Sequence, residues 1–389
     1  MLITYIEKRK IIKTEYLKIT KKNWPFVDII VPCFNESKTI IATIDSLLNL
    51  IYPKNKLKII IVNDGSTDDS LKKLEIFEKN LQIKIYHKEN GGKHTALNFG
   101  IKNSNSDLVG CLDADCFVDK DALKNMLPFF ENEKIMAVIP VVKVHNPKNL
   151  LQKIQRTEYN WSTFVKEILV YLNALFIIPG TFTIIRRKVF EKIGDYKDAY
   201  LTEDLEMALR MQKHNYKIAS SRKSSVITIT PKTFKTFYKQ RLRWAYGFLK
   251  NIIDYKSLFF KKEYGHLGFF ILPFSVISII ATFYFIVNSI ISNVNVIMEQ
   301  IIKIKLIGFS FNKINFDWFY LNTSLISIII FFILIISLTL ILISVKFTEG
   351  KLKIKPELFY FIFLFPIIAP LWLINALFNT IFSRKVTWR

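Results

Sequence analysis

The sequence predicts an α/β domain with a mixed, mainly parallel sheet, followed by an amphipathic interface helix and C-terminal transmembrane helices. Short β-branched runs alternate with helical patterns from Val27 onward, a basic helical segment follows, and long Ile, Leu and Phe runs dominate the remainder. Strands that are apolar along their whole length suit a parallel sheet that is covered on both faces. The order of these patterns therefore places a folded domain before a membrane region.

With 389 residues, the chain is long enough for more than one domain. We expect a basic N-terminal segment at 1–24, an α/β domain at 25–230, amphipathic interface helices at 231–264 and a membrane region at 265–389. Residues 1–24 hold seven Lys or Arg, two Glu and no apolar run of signal-peptide length. The α/β domain is therefore expected to stay in the cytosol.

Three apolar runs reach the roughly 20 residues that a helix needs to cross a bilayer. They lie near 266–291, 321–345 and 358–382. These runs predict a multi-pass protein of the cell (plasma) membrane.

The side on which the chain leaves the membrane is ambiguous. The stretch 346–355 has four lysines and one Glu, and residues 384–389 are also basic, so both are expected inside. If all three runs crossed the membrane completely, one of these two basic stretches would lie outside. Either the last run, which contains Pro366 and Pro370, is re-entrant, or residues 293–319 hold another crossing.

The formal charge of +23 predicts a negatively charged partner. No DNA- or RNA-binding signature accompanies it, so nucleic acid is not expected. Anionic membrane lipids fit better beside the hydrophobic runs. The cysteines Cys33, Cys111 and Cys116 have neither CxxC nor Cys/His spacing, and we expect buried thiols rather than disulfides or zinc ligands.

Four segments are predicted strands: VDIIVPC, LKIIIVN, IKIYH and DLVGCL. Ligands bind just outside the carboxyl ends of parallel strands, so we expect the chemistry there. The ends of the first, second and fourth strands carry Pro32-Cys33-Phe34-Asn35-Glu36, Asn63-Asp64-Gly65-Ser66-Thr67-Asp68 and Asp113-Ala114-Asp115.

Carboxylates at two of these strand ends are candidate ligand contacts. Asp64 begins either a capped β-to-α turn or a site that hydrogen-bonds a base edge or ribose. Asp113 and Asp115 are two residues apart in an extended segment, so both side chains can face one ligand. Their mutual repulsion is relieved when Mg²⁺ or Mn²⁺ binds them together with substrate phosphates. A solvated acidic turn is the alternative.

Two predicted helix starts add further candidates. Asn90-Gly91-Gly92-Lys93 precedes a helical pattern at 95–101, so its amides and Lys93 either face a phosphate or form a plain turn. Thr202-Glu203-Asp204 starts a helix at 205–211, with Thr202 as a candidate cap. An acid at this position also suits deprotonation of a hydroxyl group.

The segment Gln240-Arg241-Leu242-Arg243-Trp244 is the most informative motif. As a helix, it places Gln240, Arg243 and Trp244 on one stripe and an apolar stripe roughly 140° away. A guanidinium suits a diphosphate and an indole suits a sugar ring. Residues 231–262 carry nine Lys or Arg and one acid, which predicts that the apolar stripe lies on anionic headgroups. That stripe comprises Phe234, Phe237, Tyr238, Leu242, Ala245, Phe248, Leu249 and Ile252.

Taken in order, these motifs resemble the D, D, D, QxxRW signature of glycosyltransferase family 2. The matching residues are Asp64, Asp113-x-Asp115, Asp204 of Thr-Glu-Asp and Gln240-x-x-Arg243-Trp244. The resemblance covers residues 27–250 and is most similar in detail to membrane synthases of poly-β-1,6-N-acetylglucosamine, chitin oligomers and hyaluronan. It implies a GT-A nucleotide-diphospho-sugar transferase domain and an inverting transfer from a UDP-sugar.

The resemblance also implies a role for each motif. Asp64 would contact the uracil, Asp115 with Asp113 would hold the divalent metal, and Asp204 would be the catalytic base beside Glu203. Gln240 and Arg243 would cover the diphosphate, and Trp244 would stack on the acceptor sugar. Further donor contacts would come from Pro32, Asn35, Glu36 and Lys93, and a further acceptor contact from Gly180 of Pro179-Gly180-Thr181-Phe182.

The expected reaction adds a hexose or N-acetylhexosamine to a growing polysaccharide, so the acceptor is a carbohydrate or a lipid-linked chain. Those synthases carry N-terminal transmembrane helices, whereas residues 1–24 predict none. A single transfer to a ceramide- or diacylglycerol-type lipid is therefore the alternative. An inactive, membrane-binding relative would be expected to lack a metal or base residue, and none of these is missing.

Overall fold

The computed structural model describes residues 2–14, 24–308, 325–352 and 354–384. Within these residues, one sheet is formed by β1 (Val27–Cys33), β2 (Leu57–Asp64), β3 (Ile83–Lys88), β4 (Leu108–Leu112), β5 (Cys116–Val118), β6 (Ile135–Val144), β7 (Thr181–Arg186) and β8 (Lys217–Thr228). The helices are α1 (Leu2–Thr14), α2 (Ile40–Leu48), α3 (Ser70–Leu74), α4 (Lys93–Lys102), α5 (Ala122–Met126), α6 (Leu150–Tyr171), α7 (Arg187–Ile193), α8 (Glu203–Lys213), α9 (Phe234–Asp254), α10 (Leu272–Ile307), α11 (Leu325–Glu349) and α12 (Pro356–Ile381).

The sheet has the strand order β3-β2-β1-β4-β7-β6-β8-β5. The first four strands in this order are parallel, β7 runs antiparallel to both its neighbours, β6 and β8 are parallel, and β5 is antiparallel to β8. The predicted mixed, mainly parallel sheet is therefore confirmed. The four predicted strands match β1 to β4 to within a residue at each end.

Both faces of the sheet are covered, as the uniformly apolar strands predict. Along β1, Ile29 and Val31 face one core and Ile30 faces the other, because successive side chains of a strand point to opposite sides. Helices α2 and α5 contribute to the first core, and α4 and α8 to the second. The three cysteines are buried free thiols, as expected.

The interface helix α9 is packed against the protein more tightly than its sequence predicts. Phe237 is fully buried, and its ring lies edge-on to that of Trp372 in α12, with centroids 5.4 Å apart. Tyr238 accepts a hydrogen bond from Asn375 of the same helix. The prediction that the apolar stripe lies on headgroups is thus wrong for Phe237 and Ile252, which are buried inside the protein.

Ionic contacts join α6 to the turn between the last two helices. Arg156 pairs with Glu357, and its Nε lies 3.8 Å from Glu349 Oε1. Asn160 donates to Glu349, whose other carboxylate oxygen lies 3.7 Å from Lys355 Nζ. The α11–α12 turn is therefore held on the surface of the α/β domain.

In the part of the chain that the structure describes, three helices are long and apolar enough to cross a membrane: Leu267–Ile307, Ser327–Glu349 and Pro356–Ile381. The first is longer than predicted, because residues 293–307 continue it, while 309–324 lie outside the described residues. The third is unbroken at Pro366 and Pro370. Among the basic C-terminal residues, 385–389 also lie outside the described part.

Candidate active site

The ends of β1 and β2 are joined into one surface by hydrogen bonds. The Asn35 carboxamide oxygen accepts from the backbone N–H of Thr67, and the backbone N–H of Asn35 donates to Ser66 Oγ. The backbone N–H of Glu36 donates to Ser70 Oγ. Pro32 lies near the end of β1, just before this surface. The predicted donor contacts Asn35 and Glu36 are thus fixed beside the Asp64 turn.

Asp64 is buried at the end of β2 and organises the glycine loop. Its carboxylate lies 2.5 Å from Lys88 Nζ and accepts from the backbone N–H groups of Gly91 and Gly92. Gly65 has a positive φ of 70°, and a Cβ there would come within 2.8 Å of Asn90 N. This close approach brings the turn after β2 against the loop that leads into α4.

Lys93, the first residue of α4, lies at the centre of the acidic site. Its Nζ is 2.6 Å from Asp113 Oδ1 and 3.1 Å from Glu203 Oε1. A Cβ at Gly180 would lie 2.8 Å from that Nζ and 3.1 Å from Asp113 Oδ2. The start of β7 pairs with the end of β4, which is why Gly180 meets Asp113. A side chain at this position would push Lys93 or Asp113 out of its present place in the ion pair.

Asp113, Asp115 and Cys116 form a candidate metal-binding group, with one ligand atom from each lying within 4.8 Å of the others. Burial and the negative charge of Asp113 raise the pKa of Asp115 to about 6. Ionised carboxylates this close together are stabilised by a cation. The donor set therefore fits a divalent ion. Cys116 was not among the predicted ligands, because no Cys or His spacing marks it.

Glu203 and Asp204 begin α8 beside Lys93. Burial opposes ionisation of Glu203, but the Lys93 charge lowers its pKa. The pKa of Asp204 is raised by burial and then by the negative charge of Glu203. The helix start is as predicted, but Thr202 does not cap it: its hydroxyl donates to the carbonyl of Ala199.

Helix α9 reaches this acidic turn through a glycine. A Cβ on Gly247 would come within 2.3 Å of Thr202 Oγ1, so a larger residue at this position would force α9 or the start of α8 to shift. Asn251, one turn further on, donates to the same hydroxyl. Arg243 Nη1 lies 3.2 Å from the carbonyl oxygen of Leu201, and its charge acts on both Glu203 and Asp204.

The other two motif residues of α9, Gln240 and Trp244, both contact Arg241, which lies between them in the sequence. Gln240 accepts a hydrogen bond from Arg241 Nη1 at 2.7 Å. The indole of Trp244, 37% exposed, lies over the Arg241 guanidinium, 4.2 Å from ring centroid to carbon. Arg243 and Trp244 thus leave the helix toward different neighbours.

Two lysines belong to the site although sequence motifs do not mark them. Lys88, at the end of β3, pairs with Asp64. Burial lowers the pKa of Lys166 on α6 to about 8, and the negative charge of Asp204 acts in the opposite direction. The sequence could have indicated Lys88, because β3 is parallel to β2 and ends at the same edge of the sheet as Asp64. Lys166 could not, because α6 is distant in sequence.

Comparisons with known proteins show what this chain is similar to. Residues 28–194 match the profile described as Glycosyl transferase family 2. The chain is 30% identical over 354 residues to a poly-beta-1,6-N-acetyl-D-glucosamine synthase of Staphylococcus epidermidis, an alignment that spans 90% of this chain and 81% of the relative. It is 34% identical over 224 residues to the synthase of the same name from Staphylococcus aureus strain COL, spanning 57% of this chain and 54% of the relative.

Among solved structures, the chain resembles a mannosyltransferase from Pyrobaculum calidifontis in complex with GDP-Man and Mn²⁺. The TM-score is 0.61 at 17% identity, covering 99% of this chain and 95% of that one. This likeness confirms the predicted GT-A fold, and the profile and the Staphylococcus epidermidis relative confirm the predicted transferase activity. The chain belongs to glycosyl transferase family 2.

Proposed function

We propose that this glycosyltransferase inverts the anomeric centre of a UDP-sugar and adds the sugar to a growing polysaccharide at the membrane surface. One observation carries the proposal: Lys93 joins Asp113 at the end of β4 to Glu203 at the start of α8. A candidate metal ligand and a candidate base thereby face one small volume. A transferase needs this arrangement, because the donor diphosphate and the acceptor hydroxyl must meet there.

The donor's place is supported by cations and by the glycine loop near the strand ends. Asp64 holds the Gly91–Gly92 loop, so that the start of α4 can face a nucleotide or phosphate. Arg243 approaches from α9, and a guanidinium can bind a diphosphate through two N–H groups. When the donor binds, Lys93 would contact phosphate oxygens in place of some of its present contacts with Asp113 and Glu203.

A divalent cation fits the Asp113, Asp115 and Cys116 group, and carboxylate oxygens favour Mg²⁺ or Mn²⁺. When bound, such an ion stabilises negative charge on the leaving diphosphate. Asp113 and Asp115 would hold it, and Arg243 would stabilise negative charge on the diphosphate.

The acceptor hydroxyl would lose its proton to a carboxylate of α8. Asp204 suits this role because its raised pKa favours taking a proton, whereas Glu203 is kept ionised by Lys93. Trp244 presents a partly exposed ring on which an acceptor sugar can stack. Gly180 leaves room at the opposite wall.

Chain extension is favoured over a single transfer because the Staphylococcus epidermidis relative, which aligns with 90% of this chain, is named as a polymer synthase. We propose N-acetylglucosamine as the first sugar to test. The rival is a single-transfer enzyme whose acceptor is a ceramide- or diacylglycerol-type lipid. The two differ in product, since extension makes a series of chain lengths and single transfer makes one compound.

The three apolar helices support a multi-pass protein of the plasma membrane. The contacts of Arg156 with the α11–α12 turn support a position of that lysine-rich turn on the same side of the membrane as the α/β domain, and the positive-inside rule favours the cytosol for it. Anionic lipids are the proposed partners of exposed basic residues near α9.

The test is to incubate the purified protein in lipid with a panel of radiolabelled UDP-sugars and either Mg²⁺ or Mn²⁺, and to size the product. A ladder that grows with time would support the synthase. One lipid-linked product would support the rival, and hydrolysis without transfer would contradict both.

A further inference from the structure

We propose that Arg241, a residue between the motif positions of α9, is a positioning residue that fixes Gln240 and Trp244 for donor and acceptor binding. The inference rests on the proposed function, because it assigns Gln240 to the diphosphate and Trp244 to the acceptor sugar. It adds a residue to which neither the motif nor the comparisons assign a role.

Arg241 is anchored in the protein rather than facing solvent. It is only 4% exposed, and its Nη2 lies 2.5 Å from Glu158 Oε2 on α6. A buried charge is costly unless it is paired and hydrogen-bonded, so this guanidinium has a defined position. Helix α6, which carries Glu158, packs against the sheet and makes the ionic contacts to the α11–α12 turn.

The guanidinium orients Gln240 through a directional hydrogen bond. Arg241 Nη1 donates to Gln240 Oε1 at 2.7 Å, which uses the acceptor end of the carboxamide. The amide nitrogen of Gln240 then keeps its two N–H groups for another partner. A diphosphate offers only acceptors to such a group, so the bond selects the orientation of Gln240 that a phosphate can use.

The same guanidinium supports the indole of Trp244. Its central carbon lies 4.2 Å from the Trp244 ring centroid and 4.6 Å from the ring of Phe237, which is fully buried. Trp244 therefore stacks on the Arg241 guanidinium, which itself stacks on the buried ring of Phe237. One face of the indole is held by Arg241, and a sugar would use its exposed part.

Lysine cannot replace this arrangement. An ammonium could still pair with Glu158, but it lacks the plane that stacks on two rings and the fork that reaches Glu158 and Gln240 together. Arg241→Lys is thus a test that preserves charge. Arg186 provides the matched control, because its guanidinium also stacks on a ring, Phe130, and donates to carbonyl oxygens, but near the opposite edge of the sheet.

The experiment measures UDP affinity, the KM for donor and for acceptor, kcat and Tm for the full chain in lipid. Arg241→Lys is expected to raise both KM values by roughly two- to thirty-fold, the range of cation–π pairs, with Tm close to wild type. Arg186→Lys should leave both KM values unchanged. UDP affinity needs no turnover, so an inactive wild type that still binds UDP would count against the proposed function alone.

Double variants decide whether Arg241 acts through its neighbours. The acceptor effect of Arg241→Lys should nearly vanish in a Trp244→Ala background, and its effect on UDP affinity should nearly vanish in a Gln240→Ala background. Wild-type KM values in Arg241→Lys, or additive effects in both backgrounds, would overturn the proposal. If Arg241→Lys does not fold, Glu158→Ala replaces it, with a raised acceptor KM expected and an unchanged one contradicting the assignment.

Discussion

Gly247 of α9 lies directly against Thr202 at the start of α8, so closely that an added Cβ would meet Thr202 Oγ1 at 2.3 Å and its Cγ2 at 2.4 Å. The contact joins the helix that carries Arg243 to the turn that carries Glu203 and Asp204. We predict that Gly247→Ala lowers both Tm and kcat. A lower Tm would be informative, because a glycine-to-alanine change inside a helix otherwise stabilises the protein by about 1 kcal/mol.

The control for this contact shortens the opposing side chain. Thr202→Ala removes both atoms of the closest approach, so the double variant Gly247→Ala, Thr202→Ala should recover part of the activity lost in Gly247→Ala. Thermal melting and transfer rates measured on all three variants provide the comparison. A Gly247→Ala protein as active and stable as wild type would show that α9 can move away from α8 at no cost.

Metal removal should abolish transfer. Asp113 and Asp115 lie together, and the pKa of Asp115 is raised to about 6, so a diphosphate would add to an already unfavourable concentration of negative charge. We expect excess chelator to stop turnover and Asp115→Asn to reduce it by at least about tenfold. Asp119→Asn is the control, since Asp119 is exposed and its carboxylate accepts from Ser225. Full turnover in chelator would remove the metal from the mechanism.

Much of the fold followed from the sequence because its signals are local. The strands β1 to β4 are continuous apolar runs, and the residues at their ends follow directly in the chain. The pairing of Lys93 with Glu203 was not predicted, because it depends on how α4 and α8 pack on the sheet. The position of Gly180 likewise depends on β7 running antiparallel beside β4.

The interface helix shows why amphipathic patterns mislead in such proteins. Its apolar stripe predicts contact with a hydrophobic neighbour, but the pattern does not distinguish a lipid from another helix. Phe237 contacts Trp372 of α12. The sequence pattern predicts no role for Arg241, although this side chain is more buried than any of the motif residues on that helix.

Trp244 and Arg243 should affect different substrates. Trp244→Ala is expected to raise the acceptor KM by about tenfold, because a stacking surface is lost, and to leave UDP affinity nearly unchanged. Arg243→Ala should instead weaken UDP binding. Phe234→Ala serves as the control, since Phe234 is an exposed aromatic residue of α9 away from the acidic site. Equal losses of UDP affinity in Trp244→Ala and Arg243→Ala would refute this division.

The base assignment predicts that Asp204→Asn binds the UDP-sugar within a few-fold of wild type but transfers about 10²-fold more slowly, the usual range for a positioned base. An asparagine keeps the size and can hydrogen-bond the acceptor hydroxyl, but it cannot take its proton. Asp204 must be ionised to act, so activity should fall as the pH drops through its pKa, which burial and Glu203 raise above 3.8.

Glu203→Gln tests the same assignment through the pH profile. Removing the negative charge of Glu203 lowers the pKa of Asp204, so the acidic limb of kcat should move to lower pH while turnover near neutrality persists. The charge of Lys93, no longer paired with Glu203, acts in the same direction. A shift of the limb to higher pH would contradict the coupling. If Glu203→Gln were the inactive variant and Asp204→Asn kept normal turnover, Glu203 would be the base, and the ion pair with Lys93 would have to open before each transfer.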